Sequence, residues 1–142
     1  MYLIDTNVVS EARKRGRANS GVIRFFQDAA AKAIPLYLSA ISVGELHRGV
    51  DLVRHRGDIA QAGLLEAWLG GILVDFTSNI LSFDADAAQI WGHLRAPAPA
   101  QELDKQIAAI ALIYDLTLVT RNVANFAGTG VRLQNPFLPA SA

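Results

Sequence analysis

MYLIDTNVVSE, residues 1–11, ends a short apolar run with three polar side chains that begin at Asp5. The apolar run at 2–4 has the composition of a buried strand, and the apolar pattern that resumes after it predicts a helix near 6–13. In open sheets of parallel strands, ligands bind just outside the carboxyl ends of the strands. This stretch therefore predicts a strand-to-helix junction that presents Asp5 at a functional edge.

Apolar strands and longer helical segments alternate along the rest of the chain. Such alternation predicts an α/β fold with a parallel sheet and helices on both of its faces. Right-handed crossovers would then bring every strand-to-helix junction to the same edge of the sheet. The predicted strands are 2–4, 36–40, 80–83, 116–120 and a weak edge strand at 131–135, and the predicted helices are 6–13, 20–33, 42–56, 59–76, 84–96 and 102–115, with Gly70 and Gly71 as a candidate break.

The composition excludes several classes of protein. The chain has 142 residues, 13 basic and 13 acidic, so its formal net charge is zero and a nucleic acid would have to bind a local patch. The absence of cysteine excludes disulfides, thiolate zinc sites and thiol nucleophiles, and is consistent with a reducing cytosol. The apolar run at 2–4 is too short for a signal peptide. No run reaches the roughly 18 apolar residues of a membrane span. We expect a cytoplasmic protein with one domain, residues 1–142.

Three acidic residues stand at separate predicted strand-to-helix junctions. Asp5 follows the first strand, Glu45 lies one turn into the helix after 36–40, and Asp104 lies at the start of the helix at 102–115. Three converging carboxylates would repel one another unless a cation compensates them, and hard divalent cations prefer oxygen ligands. The spacing therefore predicts a Mg²⁺ or Mn²⁺ site formed by these acids.

Each acid also has a purely structural interpretation. Asp5 could cap the helix that follows it. Ser42 and Glu45 match the capping-box pattern S-x-x-E, in which both side chains satisfy backbone N–H groups. Asp104 could complement the positive end of its helix dipole.

Four segments together resemble the PIN-domain ribonucleases, in particular the VapC toxins of type II toxin–antitoxin pairs. They are YLIDTNVVSE, ISVGELHRGV, LDKQIAAIAL and LTLVTRNVANF, and they occur in this order along the chain. The resemblance implies a three-layer α/β/α sandwich with a parallel sheet of about five strands. It also implies metal-dependent endonucleolytic cleavage of RNA, with Asp5, Glu45 and Asp104 as the metal-binding and catalytic acids. A VapB-like antitoxin and a homodimer are the implied partners.

One position departs from the family pattern T-R-N-x-x-D-F. Asn125 stands where the pattern has an acid, in the segment that follows the strand at 116–120. An amide offers a carbonyl oxygen but no negative charge, so a second metal ion should bind more weakly and one metal ion should carry the reaction. A non-catalytic or weakly catalytic PIN-like RNA-binding module is the alternative.

Polar and basic residues around these acids have two interpretations each. Thr6 and Asn7 either support Asp5 or only form a turn. Arg121 either contacts RNA or forms an ion pair within the fold. The residues that we expect to position a phosphate or a water are Thr120, Asn122 and Asn125, and the basic cluster that either grips RNA or forms a solvated loop is Arg13, Lys14, Arg15 and Arg17.

Two other enzyme or signalling classes also begin with a strand that ends in Asp. A phosphatase of the haloacid dehalogenase type needs a second Asp two residues later, where this chain has Asn7. A receiver domain would need an acidic pair after the first strand and a phospho-acceptor such as Asp75.

Trp68 and Trp91 lie in helices with apolar spacing, which favours packing over base stacking. An apolar partner surface that includes Phe25, Phe26, Leu64, Leu65, Trp68 and Leu69 is the other interpretation.

Overall fold

Five parallel strands form one sheet in the computed structural model, which describes residues 1–139. The strand order is β3-β2-β1-β4-β5, so β1 lies in the centre with β2 and β4 beside it. The chain builds outward from β1 on one side and then crosses to the other, so the strand order reverses between β1 and β4. The strands are β1 (Tyr2–Ile4), β2 (Leu36–Ser39), β3 (Ile80–Leu81), β4 (Thr117–Val119) and β5 (Leu133–Gln134).

Six α-helices connect and cover these strands. Their bounds are α1 (Thr6–Ala12), α2 (Ser20–Ala31), α3 (Ala40–His55), α4 (Ile59–Asp75), α5 (Ala85–Arg95) and α6 (Glu102–Ile113). Two 3-10 turns follow α1 and β4, at Arg15–Arg17 and Val123–Phe126. None of the helices in residues 1–139 is long and apolar enough to cross a membrane.

Neighbouring residues of β1 face two different hydrophobic cores. Leu3 is buried in a core with Ile107 and Ile110 of α6. Ile4 is buried in a second core with Val8 of α1 and Val22 of α2. Because alternate side chains of a strand point to opposite faces, these two cores show helices on both faces of the sheet. The predicted three-layer α/β/α sandwich is therefore confirmed.

The observed helices correct two local predictions. Gly70 and Gly71 lie within α4 and do not break it. Helix α3 begins at Ala40 rather than 42, because Ser39 is its N-cap and accepts a hydrogen bond from the backbone N–H of Ser42. The predicted capping box at Ser42 and Glu45 is therefore wrong.

Three further predictions concern Asp75, Trp68 and the lengths of the edge strands. Asp75 lies at the end of α4 and not at the end of a strand, so it lacks the position of a receiver-domain acceptor. Trp68 packs against the second core, as its helical spacing predicts. The edge strands β3 and β5 are only two residues long, shorter than the predicted 80–83 and 131–135. Very short edge strands offer little backbone to a foreign strand.

Candidate active site

Asp5 lies at the carboxyl end of the central strand, beside the point where strand order reverses. Its backbone N–H donates to the carbonyl of Val119, which extends the β1–β4 pairing by one residue. The side chain is 4% exposed. It also caps α1, because Oδ1 accepts the backbone N–H of Thr6 at 2.8 Å. The capping role and the site role of Asp5 therefore coexist.

Thr120 and Asn7 hold the second carboxylate oxygen of Asp5. The hydroxyl of Thr120, which is fully buried, donates to Asp5 Oδ2 at 2.8 Å. Asn7 Nδ2 lies 3.2 Å from the same oxygen and 3.3 Å from Thr120 Oγ1. The Thr120 hydroxyl also accepts the backbone N–H of Asn122 at 3.0 Å. Both carboxylate oxygens of Asp5 are thus fixed by the chain itself.

Thr6 links the first acid to the second. Its hydroxyl donates to Glu45 Oε1 at 3.0 Å, while its backbone N–H donates to Asp5. Glu45 lies in the second turn of α3, whose start follows directly from β2. Thr6 is therefore more than a turn former, because it bridges the carboxylates of two different strand ends.

Asp104 belongs to the first turn of α6, two residues after the helix begins at Glu102. Asn125 Nδ2 donates to Asp104 Oδ2 at 3.1 Å. Asn125 itself lies in the 3-10 turn after β4. The amide that replaces the family acid therefore contacts the acid cluster through its N–H group and neutralises no charge there.

Burial and hydrogen bonding act in opposite directions on Asp5. Burial raises the pKa of Asp5 above its ordinary value of 3.8, because a charged carboxylate loses solvation. Hydrogen bonds from Thr120, from the Thr6 backbone and from Asn7 lower that pKa. Burial has the larger effect, so the metal-free protein holds this proton more tightly than an exposed Asp does.

The other two acids sense their neighbours' charges. Burial raises the pKa of Glu45, and the negative charges of Asp5 and Asp104 raise it further, against a hydrogen bond from Thr6. Burial also raises the pKa of Asp104, and the charge of Asp5 adds to this, against the hydrogen bond from Asn125. The three predicted acids are therefore brought together at one edge.

The chemistry of this donor set fits a divalent cation. Within residues 1–139, no three Asp, Glu or His side chains have the spacing of a ready-made metal site. The three acids nevertheless repel one another, and a cation with oxygen ligands relieves such repulsion. Mg²⁺ keeps several waters in proteins and is often held by only one or two carboxylates. The acids therefore suit a hydrated ion held partly through water.

A cavity lies beside two of these acids. It has a volume of about 330 Å³ and is lined by Glu45, Asp104 and three residues at the start of α6, which are Gln101, Glu102 and Leu103. Glu102 adds a further carboxylate at its rim, and an ion pair with Arg95 at 3.4 Å partly compensates the charge. This space therefore opens onto Glu45 and Asp104.

The predicted RNA-binding residues have different surroundings. Arg13 lines a cavity together with Glu45, whereas Arg15 lines two other cavities away from the acids. Lys14 pairs with Glu11 at 2.9 Å. The guanidinium of Arg121 lies 4.8 Å above the ring of Phe137 and forms no ion pair with a described residue.

The remaining predicted site residues lie on the loops of this edge. Arg17 is exposed in the 3-10 turn after α1. Asn122 is exposed on the loop after β4, and its backbone contact to Thr120 is its link to the site. Asn7 Oδ1 accepts the backbone N–H of Arg121 at 3.0 Å, which ties this loop to α1.

Two supporting features were not predicted from the sequence. Lys105, next to Asp104, is 6% exposed, and its ammonium donates to the carbonyls of Ala98 and Ala100. Ser39 and Ser42 form a buried hydroxyl pair beneath the start of α3. A cation in the first turn of a helix opposes the helix dipole, and this unfavourable position is the sequence signal that could have indicated a special role for Lys105.

The chain is similar to several known proteins over nearly its whole length. Residues 2–129 match the family model described as PIN domain. The chain is 35% identical to the plasmid stability protein StbB of Pseudomonas syringae pv. tomato, over 96% of this chain and 99% of that protein. It is 33% identical to the toxin FitB of Neisseria gonorrhoeae, over 96% and 99%, and 32% identical to the VapC ribonuclease Y4jK of Sinorhizobium fredii, over 99% and 100%.

Solved structures with the same fold include two that contain FitB-type chains. The crystal structure of FitAcB from Neisseria gonorrhoeae matches with a TM-score of 0.83 and 34% identity, covering 96% of this chain and 98% of that one. The structure of FitAB bound to a DNA fragment matches with a TM-score of 0.81 and 30% identity, covering 99% of both chains. The resemblance stated from the sequence is confirmed, and this chain belongs to the PIN domain family.

Proposed function

We propose that this chain is the toxin of a type II toxin–antitoxin pair and a divalent-metal-dependent endoribonuclease. The observation that carries the proposal is the acid cluster of Asp5, Glu45 and Asp104. Besides burial, the charge of Asp5 raises the pKa of both Glu45 and Asp104, and the charge of Asp104 raises the pKa of Glu45. The relatives named toxin FitB and VapC ribonuclease support the same function.

Asp5, Glu45 and Asp104 would hold a Mg²⁺ or Mn²⁺ ion, which would lower the pKa of a bound water and neutralise charge on the phosphoryl oxygens. Asp5 is held in one orientation by Thr120 and Asn7. Glu45 uses Oε1 to accept the Thr6 hydroxyl, so we assign Oε2 as the acceptor of the proton from the attacking water, with Asp104 as the alternative base. Attack by water leaves a 5′-phosphate and a 3′-hydroxyl.

Asn125 bears on the number of metal ions. Its N–H donates to Asp104, so it competes for a carboxylate oxygen instead of adding one. We therefore propose a one-metal reaction. The same observation favours the second candidate, a PIN-like module that binds RNA and metal without cleavage.

Partners follow from the relatives and from the surface. FitAcB and FitAB are complexes in which a FitB-type chain has a companion, and we propose an antitoxin companion and a homodimer for this chain, in the cytoplasm. RNA would be gripped by Arg13, Lys14, Arg15, Arg17 and Arg121. Of the six apolar residues considered as a partner surface, Leu64 is exposed, Phe25 and Leu69 are buried, and Phe26, Leu65 and Trp68 are partly buried.

Cleavage by the purified chain tests the proposed enzyme. We expect cellular RNA to be cut with Mg²⁺ or Mn²⁺ and to remain intact with EDTA, and Asp5→Asn and Asp104→Asn to abolish cutting while the protein stays folded. Asp86→Asn, an exposed acid on α5, is the matched control and should cut like the wild type. Cutting by Asp5→Asn at the wild-type rate contradicts the assignment. Metal and RNA binding without cutting would establish the non-catalytic module.

A further inference from the structure

A second cavity opens directly on the acid cluster, between α1, α3 and α4. Its volume is about 200 Å³. Thr6 and Glu45 form one wall, and they are hydrogen-bonded to each other at 3.0 Å. A ligand group in this cavity therefore lies against Glu45, the one acid of the cluster that lines it.

The lining of this cavity combines apolar and polar side chains. Leu46, Leu65 and Trp68 form apolar walls, and all three also pack in the second core. Ser10 and Arg13 bring a hydroxyl and a guanidinium, and Arg13 makes no ion pair with another residue of the described part of the chain. Such a site suits a flat, mostly apolar group with polar edges.

The charges around this cavity indicate whether the phosphate or the base of a nucleotide occupies it. Glu45 repels a phosphate, so a phosphate would stay at Arg13 on the rim. An uncharged nucleobase meets no such repulsion, and it gains by stacking on an aromatic side chain such as Trp68. Sequence-tolerant recognition of single strands commonly pairs stacking with a basic groove.

We propose that this cavity receives one unpaired nucleobase of the RNA, adjacent to the phosphate that faces the acids. The inference rests on the proposed function, because it takes RNA as the substrate. It makes Trp68 the stacking partner and Arg13 the contact to the flanking phosphate. A base within a duplex is already stacked and paired, so the site selects single-stranded RNA.

Gly49 allows the cavity to be filled without damage to the fold. It lines the cavity within α3, and a Cβ atom placed on it meets no atom within 4 Å. Gly49→Leu therefore projects a side chain into open space and raises helix propensity. Gly63→Leu is the matched control, because Gly63 lies in α4 with equally open space and does not line this cavity.

Binding without cleavage is measured in EDTA with two labelled oligomers of equal length. One is oligouridylate, and the other has the same phosphates with abasic riboses. We expect wild type to bind the base-bearing oligomer roughly tenfold more tightly than the abasic one, the size of one base stacked on an aromatic ring. Gly49→Leu and Trp68→Leu should lose most of this preference, and Gly63→Leu should keep it. Arg13→Gln should weaken binding of both oligomers.

Fluorescence gives a readout that needs no change in the cavity. The chain has two tryptophans, so in Trp91→Phe the tryptophan fluorescence comes from Trp68 alone. Base-bearing oligomer should quench Trp68, and abasic oligomer should not. If Gly49→Leu still binds the base-bearing oligomer more tightly, or if both oligomers quench Trp68 equally, the proposal is overturned. The cavity would then be assigned to a side chain of a protein partner.

The outcomes separate this inference from the proposed function. RNA cutting by wild type together with no base preference removes only the base site. Base preference without cutting removes the enzyme and keeps the base site. Failure to bind or cut any RNA removes both.

Discussion

Thr120 controls the orientation of Asp5 through a single buried hydroxyl. Thr120→Val keeps the shape of the side chain and removes the donor to Asp5 Oδ2, so the carboxylate stays buried with less hydrogen bonding. Asn7 still donates to the same oxygen. We expect the free energy of unfolding to fall by about 1.5–3 kcal/mol, the contribution of a hydrogen bond to a charged group, and RNA cleavage to fall with it. Urea denaturation and a cleavage assay measure both effects.

Two comparisons isolate the hydroxyl in that experiment. Thr120→Ser keeps the donor and should retain most of the cleavage activity. Thr117→Val removes a hydroxyl from a partly exposed residue at the start of β4, the strand that precedes Thr120, and should change neither quantity much. Wild-type stability and activity in Thr120→Val would show that Asp5 needs no support from this residue.

Asn125→Asp restores the acid of the family pattern. The new carboxylate would replace the amide that donates to Asp104, and two like charges would face each other across 3.1 Å. Without metal, we expect a lower thermal midpoint at neutral pH. Mn²⁺ should then raise the midpoint more than it does in wild type, because the ion gains a further oxygen ligand. Thermal denaturation with EDTA and with Mn²⁺ tests this.

A nearby substitution controls for charge alone. Asn122→Asp adds the same charge to an exposed position of the same loop. If both variants respond equally to Mn²⁺, general charge and not contact with Asp104 explains the result.

Single residues differ in how far the sequence predicts them. Asp5 and Glu45 follow from their positions after β1 and β2, because parallel strands bring such positions to one edge. Asp104 was also predicted at a strand-to-helix junction, and this is wrong, because α6 follows α5 and not a strand. Thr6 was predicted only to support Asp5, and its hydrogen bond to Glu45 was not predicted. A hydroxyl contact across 39 residues depends on how closely α1 approaches α3, which the sequence does not show. The partners of Lys105 are backbone carbonyls, which carry no sequence signal.

At the scale of elements, the loop before α6 places Asp104. Gln101 adopts a left-handed conformation with φ of 57°, and no side chain caps this helix. Lys105 instead ties the loop to the helix through two carbonyls. Lys105→Met keeps the length and loses the donors, so we expect a loss of about 1–3 kcal/mol in the free energy of unfolding and weaker cleavage.

Hydrogen exchange separates a positioning role of Lys105 from a merely structural one. In Lys105→Met, amides at 96–101 and in the first turn of α6 should exchange faster, while those of β1 should keep their protection. Lys32→Met, at the exposed end of α2, should leave both regions unchanged. If exchange at 96–101 is unchanged in Lys105→Met, Lys105 does not hold this loop against α6.

Helix boundaries were predicted less well than helix positions. Ser39 and Ser42 are both good N-cap residues, and the packing of β2 against its neighbours decides in favour of Ser39. Gly70 and Gly71 cost helix α4 about 1 kcal/mol each relative to Ala. Leu69 is buried and Ile72 packs beside it in the second core, and this contact outweighs the local preference of the glycines.

At the scale of the whole molecule, the alternation of elements predicted the layers and not the strand order. Any order with right-handed crossovers would give strands buried on both faces. The order becomes clear from residue contacts, such as Ile4 opposite Val119, which bring the first and fourth strands together. This pairing places Thr120 against Asp5 although 115 residues separate them.

The acid cluster makes the stability of the metal-free protein depend on pH. The pKa values of Asp5, Glu45 and Asp104 are raised in the folded state, so the folded protein binds more protons than the unfolded one above the ordinary values of 3.8 for Asp and 4.5 for Glu. Stability therefore falls as pH rises through this range towards the folded pKa values. Above the raised pKa values the cluster is ionised, and its contribution to stability has then been lost.

Glu11 acts in the opposite sense. A hydrogen bond from Lys14 holds its pKa below the ordinary value of 4.5, so its contribution is present above that value and is lost as pH falls. The contribution of the acid cluster is therefore measured as a difference between wild type and Asp5→Asn. Asp86→Asn serves as the control for loss of one surface charge.

Divalent metal should reverse this pH dependence. A ligand that binds the folded state alone stabilises it by RT ln(1 + [L]/Kd), and Mg²⁺ or Mn²⁺ binds the ionised acids. We therefore expect the ion to raise the thermal midpoint strongly at neutral pH and weakly near the ordinary carboxyl pKa values, with little effect on Asp5→Asn at either pH. Thermal denaturation with and without the ion measures this. An equal rise in wild type and Asp5→Asn would place the bound ion elsewhere on the molecule. A cluster that lacks the charge of Asp5 should bind the ion more weakly and gain less stability from it.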